Sequence, residues 1–344
     1  MLHWIPTKRR EPMSIGSEIV FEALDKFPDT PTLTLAKLIY KDNKEIFTNV
    51  DVCRSMIRYY RGQAGNNNLK KLSTKEYVKP PGNRNPFDNV PEGLKFFDNW
   101  DPFVMLSNRI LVLSDLHIPF HEHEPLIKAL EYGKKHNVDG ILLNGDFLDF
   151  YSCSFWEKDP RRRNFQQEIN MGRSILRIIR EGFPSAEIVY KIGNHEERYY
   201  RYLSVKAPEL LGTDRFELAS FMDFDNLDII MVSDKRIVKT GNLSVVHGHE
   251  FGRSISSPVN PARGLYLRAK VTSAAGHWHQ KSEHNETDMH GEAITCWSFG
   301  CLCDLHPDWL PINKWTHGFA IVDVLDDDGR FEVWNKRIVD GKIF

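Results

Sequence analysis

The sequence predicts an α/β fold preceded by a small helical unit. Three observations carry this expectation. Short apolar runs suited to buried strands end abruptly in polar residues, segments of helical spacing alternate with those runs from residue 109 onward, and the first sixty or so residues hold only helical periodicities. At 344 residues the chain is long enough for one sizeable domain and a smaller one.

Residues 14–27 place Ile19, Val20, Ala23, Leu24 and Phe27 at helical spacing, and Pro28-Asp29 ends that helix. Residues 32–40, with Leu33, Leu35, Ala36, Leu38 and Ile39, supply a second. A third runs from Thr48 or Asn49 to Tyr60, with Gly62 just past its end. On it Arg54, Arg58 and Arg61 fall on one face, with Tyr59 and Tyr60 beside them. Compact three-helix units that present a basic helix can enter a DNA major groove. The basic bias continues through Lys70, Lys71, Lys75, Lys79 and Arg84 against Glu76 alone, the footprint expected of phosphate contact. A solvated helix face is the alternative. Gly65-Asn66-Asn67-Asn68, Pro80-Pro81-Gly82 and Asn85-Pro86 break helices and strands alike, so residues 63–91 read as a basic linker between a helical domain at 1–62 and a second domain at 92–344.

In the second domain, strands at 109–113, 141–144, 188–192, 243–246 and 271–275 are interleaved with helices at 124–137 and 163–181. The later stretches 293–299, 319–325 and 331–339 are strand-like, with Asp327-Asp328-Gly329 as a hairpin turn, which calls for a second sheet.

Each early strand delivers donor atoms at its carboxyl end, where open α/β sheets bind ligands. Arg109-Ile-Leu-Val-Leu-Ser leads into Asp115 and His117, and Ile141-Leu-Leu-Asn leads into Gly145-Asp146. Ile188-Val-Tyr-Lys-Ile leads into Gly193-Asn194-His195-Glu196, Leu243-Ser-Val-Val into His247-Gly248-His249, and the 271–275 run into Gly276-His277-Trp278-His279. Asp115, His117, Asp146, Asn194, His247, His277 and His279 form an oxygen and imidazole set without thiolate, which suits divalent manganese, iron, cobalt, nickel or zinc. Seven donors exceed one ordinary site, so two ions sharing a ligand is the economical arrangement.

In their order and spacing these five motifs resemble the signature of the calcineurin-like metallophosphoesterases, over residues 108 to 340. The resemblance implies a pair of packed mixed sheets flanked by helices. It assigns Asp115, His117, Asp146 and His279 to one metal, and Asp146, Asn194, His247 and His277 to the second, with manganese favoured over iron, zinc, nickel or cobalt. His195 would face the substrate as general acid, with Asp149 as its orienting partner. Paired cations about 3.5–4 Å apart supply hydroxide from a bridging water at neutral pH and clamp the phosphoryl oxygens. Arg161, Arg162, Arg163, Arg198 and Arg253 flank the motifs and could grip phosphate. Phe150 follows Asp149 where protein Ser/Thr phosphatases of the superfamily have Arg-Gly, which argues against phosphoprotein specificity. The whole chain, helical unit and linker included, is also similar to phage and bacterial proteins.

The reading that follows is a dimetal phosphoesterase cleaving phosphodiesters in nucleic acid or nucleotides, brought to polynucleotide by the helical unit. A phosphomonoesterase acting on protein or small molecules is the alternative within the enzyme class. A DNA-binding regulator with a non-catalytic phosphoesterase domain is the alternative outside it, and the complete ligand set speaks against that. A net charge of −2 decides nothing by itself. The five cysteines lack zinc-knuckle spacing and read as small buried side chains in a reducing cytoplasm. No apolar run nears the roughly 18 residues of a membrane helix, and the amino terminus does not read as a signal peptide. No membrane association and no obligate protein partner are expected.

Overall fold

The computed structural model describes residues 14–72, 75–78, 90, 91, 93, 94, 100–156, 159, 161, 164–233, 235–254 and 259–344. Contacts divide the chain into two compact units, Met1–Leu94 and Lys95–Phe344.

In the first unit, α1 (Ile15–Lys26) starts at Ser14, whose hydroxyl accepts the Ser17 N–H. Helix α2 spans Thr32–Asp42, and α3 (Val50–Tyr60) starts at Asn49, which caps Val52 N–H at 3.0 Å. Their apolar faces close on a core of Val20, Leu24, Leu35, Ile39, Cys53 and Ile57. Two expectations need correction. A short helix, α4 (Asn66–Lys71), lies inside the stretch read as linker, and Tyr77 is buried in the helical core. Gly65, at φ 94°, turns the chain so that Leu69 packs against Gly62, and this tertiary contact overrides a helix-breaking composition. Arg61 does not join a solvent-facing stripe. It follows the last turn of α3 and is 3% exposed, its guanidinium donating to Thr32 Oγ1 at 3.0 Å and to the Pro28 carbonyl at 2.9 Å. Arg54 and Arg58 remain exposed. Lys79 and Arg84 lie outside the described residues.

The second unit runs β1 (Phe103–Val104), β2 (Arg109–Leu113), α5 (His123–Lys135), β3 (Gly140–Asn144), α6 (Phe165–Gly182), β4 (Glu187–Lys191) and α7 (Asn194–Lys206). It continues with α8 (Leu218–Phe221), β5 (Ile229–Val232), β6 (Val238–Thr240), β7 (Leu243–Val246), α9 (Pro261–Ala269) and β8 (Ser273–Ala275). It closes with β9 (Ser282–Thr287), β10 (Ala293–Ser298), β11 (Gly318–Val324), β12 (Phe331–Val339) and β13 (Lys342–Ile343).

These strands form two mixed sheets, ordered β13-β12-β11-β2-β3-β4-β5 and β1-β6-β7-β8-β10-β9. Side-chain alternation along the strands builds two layers of core. Ile110, Val112, Leu142 and Val189 point between the sheets, against Val238, Leu243, Val245 and Ala274 of the other. Leu111, Leu113, Ile141, Leu143, Ile188 and Tyr190 point the opposite way and are covered by Leu126 and Ala129 of α5, Leu176 and Ile179 of α6, and Tyr199 and Leu203 of α7. The architecture is the expected pair of mixed sheets flanked by helices. Strands β2, β3 and β4 pair in parallel, as do β7 and β8, so their carboxyl ends lie side by side within each sheet.

Candidate metal centre

All seven donors predicted from the strand ends come together. Asp115 and His117 follow β2, Asp146 follows β3, Asn194 opens α7 behind β4, His247 follows β7, and His277 and His279 follow β8. His279 Nε2 stands 3.1 Å from Asp115 Oδ1 and 3.1 Å from His117 Nε2, and His117 Nε2 is 3.8 Å from Asp146 Oδ2. On the other side, His247 Nε2 lies 3.2 Å from Asp146 Oδ2 and 3.2 Å from Asn194 Oδ1. Donor atoms of Asp115, His117 and Asp146 fall within 4.8 Å of one another, and so do those of Asp146, His247 and His277. Asp146 is common to both groups.

The backbone is bent to bring them there. Asp115, His117, Asp146, His277 and His279 all have φ between 50° and 66°, a left-handed region uncommon for non-glycine residues, in which Asp and His occur more often than most. Each such position costs on the order of 1–3 kcal/mol and persists only where its surroundings over-determine it. Gly193 is needed for close approach, since a Cβ there would sit 2.3 Å from Asp146 Oδ1 and 2.5 Å from its amide nitrogen.

Three buried supports hold the loops, and none of them was assigned a role from sequence. Glu196 accepts backbone N–H groups from Asp146 (3.0 Å), Phe147 (2.9 Å), Leu148 (3.1 Å) and Gly193 (2.9 Å), as well as the Tyr190 hydroxyl (2.8 Å). Its signal was its place in the first turn of the helix opened by Asn194, where a carboxylate reaches back to loop amides. Lys191, fully buried at the end of β4, pairs with Glu250 at 2.9 Å, and Glu250 accepts the His247 and Gly248 N–H groups. A lysine inside an apolar strand run was the available sign. Asn144 accepts from His247 Nδ1 at 2.8 Å through its carbonyl, which fixes the ring so that Nε2 faces Asp146.

The electrostatics follow from burial and close charge. Burial disfavours an imidazolium at His247, yet the Asp146 and Asp115 carboxylates overcome it and push this group up to about 10. Burial raises Asp115 and Asp146, but the facing imidazoles hold both carboxyls well below the usual range. Burial, reinforced by the neighbouring His247, takes His277 down to about 3.

The donor set fits divalent cations. Imidazole and carboxylate donor atoms from separate strand ends converge here, and among the described residues the buried His277 Nδ1 has no hydrogen-bond partner. Oxygen and imidazole donors of this kind bind borderline divalent metals. Cys303 is a small buried side chain as expected, and its Sγ approaches His279 Nδ1 at 3.8 Å.

At the edge of the cluster, His195 Nδ1 meets the Asp149 carbonyl at 2.9 Å and its carboxylate at 3.3 Å. Burial would raise the Asp149 carboxyl, but His195 and His117 hold it far below the usual range. Arg198 reaches the same place, with Nη1 3.3 Å from the Asp149 carbonyl. Arg161 instead closes on Asp159 through paired bonds of 3.0 and 2.8 Å in an exposed loop. Arg162, Arg163 and the Arg253 side chain lie outside the described parts of the chain. Trp278 is partly buried and packs against the apolar cluster that holds Val246 and Leu265.

A family model described as calcineurin-like phosphoesterase matches residues 108–322. The Gene 54 protein of Mycobacterium phage L5 is 27% identical over 232 residues, covering 64% of this chain and 90% of that protein. Among solved structures, Vacuolar Protein Sorting 29 from Cryptosporidium parvum aligns with a TM-score of 0.38 at 13% identity, over 69% of this chain and 95% of that one. Yfce, a phosphoesterase from E. coli, aligns with a TM-score of 0.32 at 13% identity, over 66% and 98% respectively.

Proposed function

The chain belongs to the calcineurin-like phosphoesterase family, a metal-dependent class of hydrolases, and from that premise we propose that it cleaves phosphodiester bonds in nucleic acid or nucleotides. The observation that carries the reading is Asp146, whose carboxylate belongs to two donor groups at once. Asp115, His117, Asp146 and His279 would hold one divalent ion, and Asp146, Asn194, His247 and His277 the other. When bound, such a pair would activate water as the nucleophile and balance charge on the phosphoryl oxygens.

The chain's own groups handle the rest. His195 is anchored through Nδ1 by Asp149, which leaves Nε2 as its nitrogen for proton transfer. Arg198 Nη2 sits against that nitrogen, and an incoming phosphate draws the guanidinium onto its own oxygens, freeing Nε2 to take up a proton from water and pass it to the departing oxygen. Glu196 and the Lys191–Glu250 pair keep the loops of Asp146 and His247 from relaxing.

The exposed Arg54 and Arg58, followed by Lys70, Lys71 and Lys75, support polynucleotide as the diester. Phosphomonoester hydrolysis is the second reading, favoured by Arg198 because a guanidinium fork suits a terminal phosphoryl group. Hydrolysis of a labelled oligonucleotide, a bis-aryl diester and an aryl monoester by metal-supplemented protein separates the two. The diester reading expects turnover of the first two, and turnover of the monoester alone would overturn it.

A further inference from the structure

The segment between β10 and β11 carries an aromatic pair that the hydrolytic chemistry does not use. Trp315 packs on His279 with ring centroids 4.1 Å apart, and Trp309 stands 5.6 Å beyond Trp315 with the two indole planes at 65°. No more than about 10 Å therefore separates the Trp309 and His279 rings. Trp309 is 68% exposed, next to Leu310 and the 90% exposed Ile312. Exposed apolar groups of this size, grouped together, mark interaction sites.

The loop is built to hold them out. The Asn313 side-chain amide donates to the carbonyls of Leu305 (2.7 Å) and Leu310 (2.9 Å), and its oxygen accepts the Trp315 N–H at 2.8 Å. His306 Nδ1 meets the Pro311 carbonyl at 3.0 Å, and Thr316 N–H donates to the His279 carbonyl at 2.8 Å. These bonds fix the indoles relative to the metal-centre loop without burying Trp309. The two indoles meet edge to face and form a corner whose outer wall, the 68% exposed Trp309, offers a flat ring a surface to stack on.

We propose that Trp309 and Trp315 form a subsite for the nucleobase attached to the scissile phosphate. This rests on the phosphodiester reading, since a base lies one sugar away from its phosphate and His279 belongs to the proposed phosphate-binding centre. Every base offers a π-face, so such a corner selects nucleotides over base-free phosphoesters without choosing among sequences.

Calorimetric titration of metal-loaded protein with AMP and with ribose 5-phosphate tests the subsite. The wild type is expected to prefer AMP by about fivefold or more, Trp309→Ala to abolish that preference, and Trp309→Phe to restore much of it. A second arm compares tetrathymidylate with its abasic counterpart. Loss of preference in both arms assigns the corner to strands as well as free nucleotides, and loss with AMP alone assigns it to free nucleotides. A wild type that binds AMP and ribose 5-phosphate equally, or a preference that survives Trp309→Ala, would overturn the proposal. Failure of the phosphodiester reading shows separately, as oligonucleotide left intact in the presence of metal, while the base preference stays readable.

Discussion

Arg198 and His195 meet at 2.7 Å, guanidinium Nη2 against ring Nε2. Arginine does not give up its proton, so in this arrangement Nε2 is the acceptor and the ring is held rather than poised. On the proposed mechanism, an arriving anion that takes the guanidinium releases the ring to take up a proton.

If His195 protonates the leaving oxygen, its value depends on the leaving group. His195→Ala is expected to lower kcat on an oligonucleotide about 10²–10⁴-fold, while a p-nitrophenyl diester, whose phenolate leaves unaided, loses far less. The two substrates are compared under saturating metal. Equal losses on both would contradict the proton-donor role.

Glu196 gathers four backbone N–H groups and a hydroxyl around the Asp146 turn. Each buried group left without a partner costs about 1–3 kcal/mol, so Glu196→Ala should lower stability by more than about 3 kcal/mol in urea unfolding. Glu196→Gln keeps the volume but presents an N–H₂ to donors. It is expected to fold with weakened metal affinity, measured by competition with a chelator dye. Wild-type urea midpoint in the first variant and wild-type affinity in the second would remove Glu196 from the account.

Glu168 on α6 accepts the Phe150 N–H, and burial pushes its carboxyl up to about 8 although that bond pulls the other way. The folded state then holds a proton that the unfolded state has already released. Stability contributed in this way is fully present below the ordinary carboxyl range near 4.5 and is lost as pH rises toward 8. The urea midpoint should fall across that window, and Glu168→Gln should flatten the fall. A midpoint that rises from pH 5 to pH 8 in the wild type, or an equal slope in the variant, would contradict the assignment.

The donors were legible because chemistry forces residue type. Asp115, His117, Asp146 and their partners stand at strand ends, next to glycines such as Gly193 that the close approach demands. The supports were harder to see. Glu196, Lys191 and Glu250 act through backbone amides and a buried ion pair between distant segments, and pairing across 59 residues leaves no local pattern. Arg61 misled for a related reason, since spacing places a side chain on a helix face but does not say whether the chain end folds that face inward. The polar strand β9, mostly exposed, shows neither alternation nor an apolar run, so nothing in its residues marked it. The left-handed backbone at five donors is visible only in the folded chain.

The central claim is that Asp146 joins two donor groups around a pair of cations. Elemental analysis of protein loaded with Mn(II) or Zn(II) and freed of excess metal measures this directly, with Asp146→Asn alongside. The account predicts two ions per chain in the wild type and fewer in the variant; no bound ion in the wild type, or two in both proteins, would contradict it.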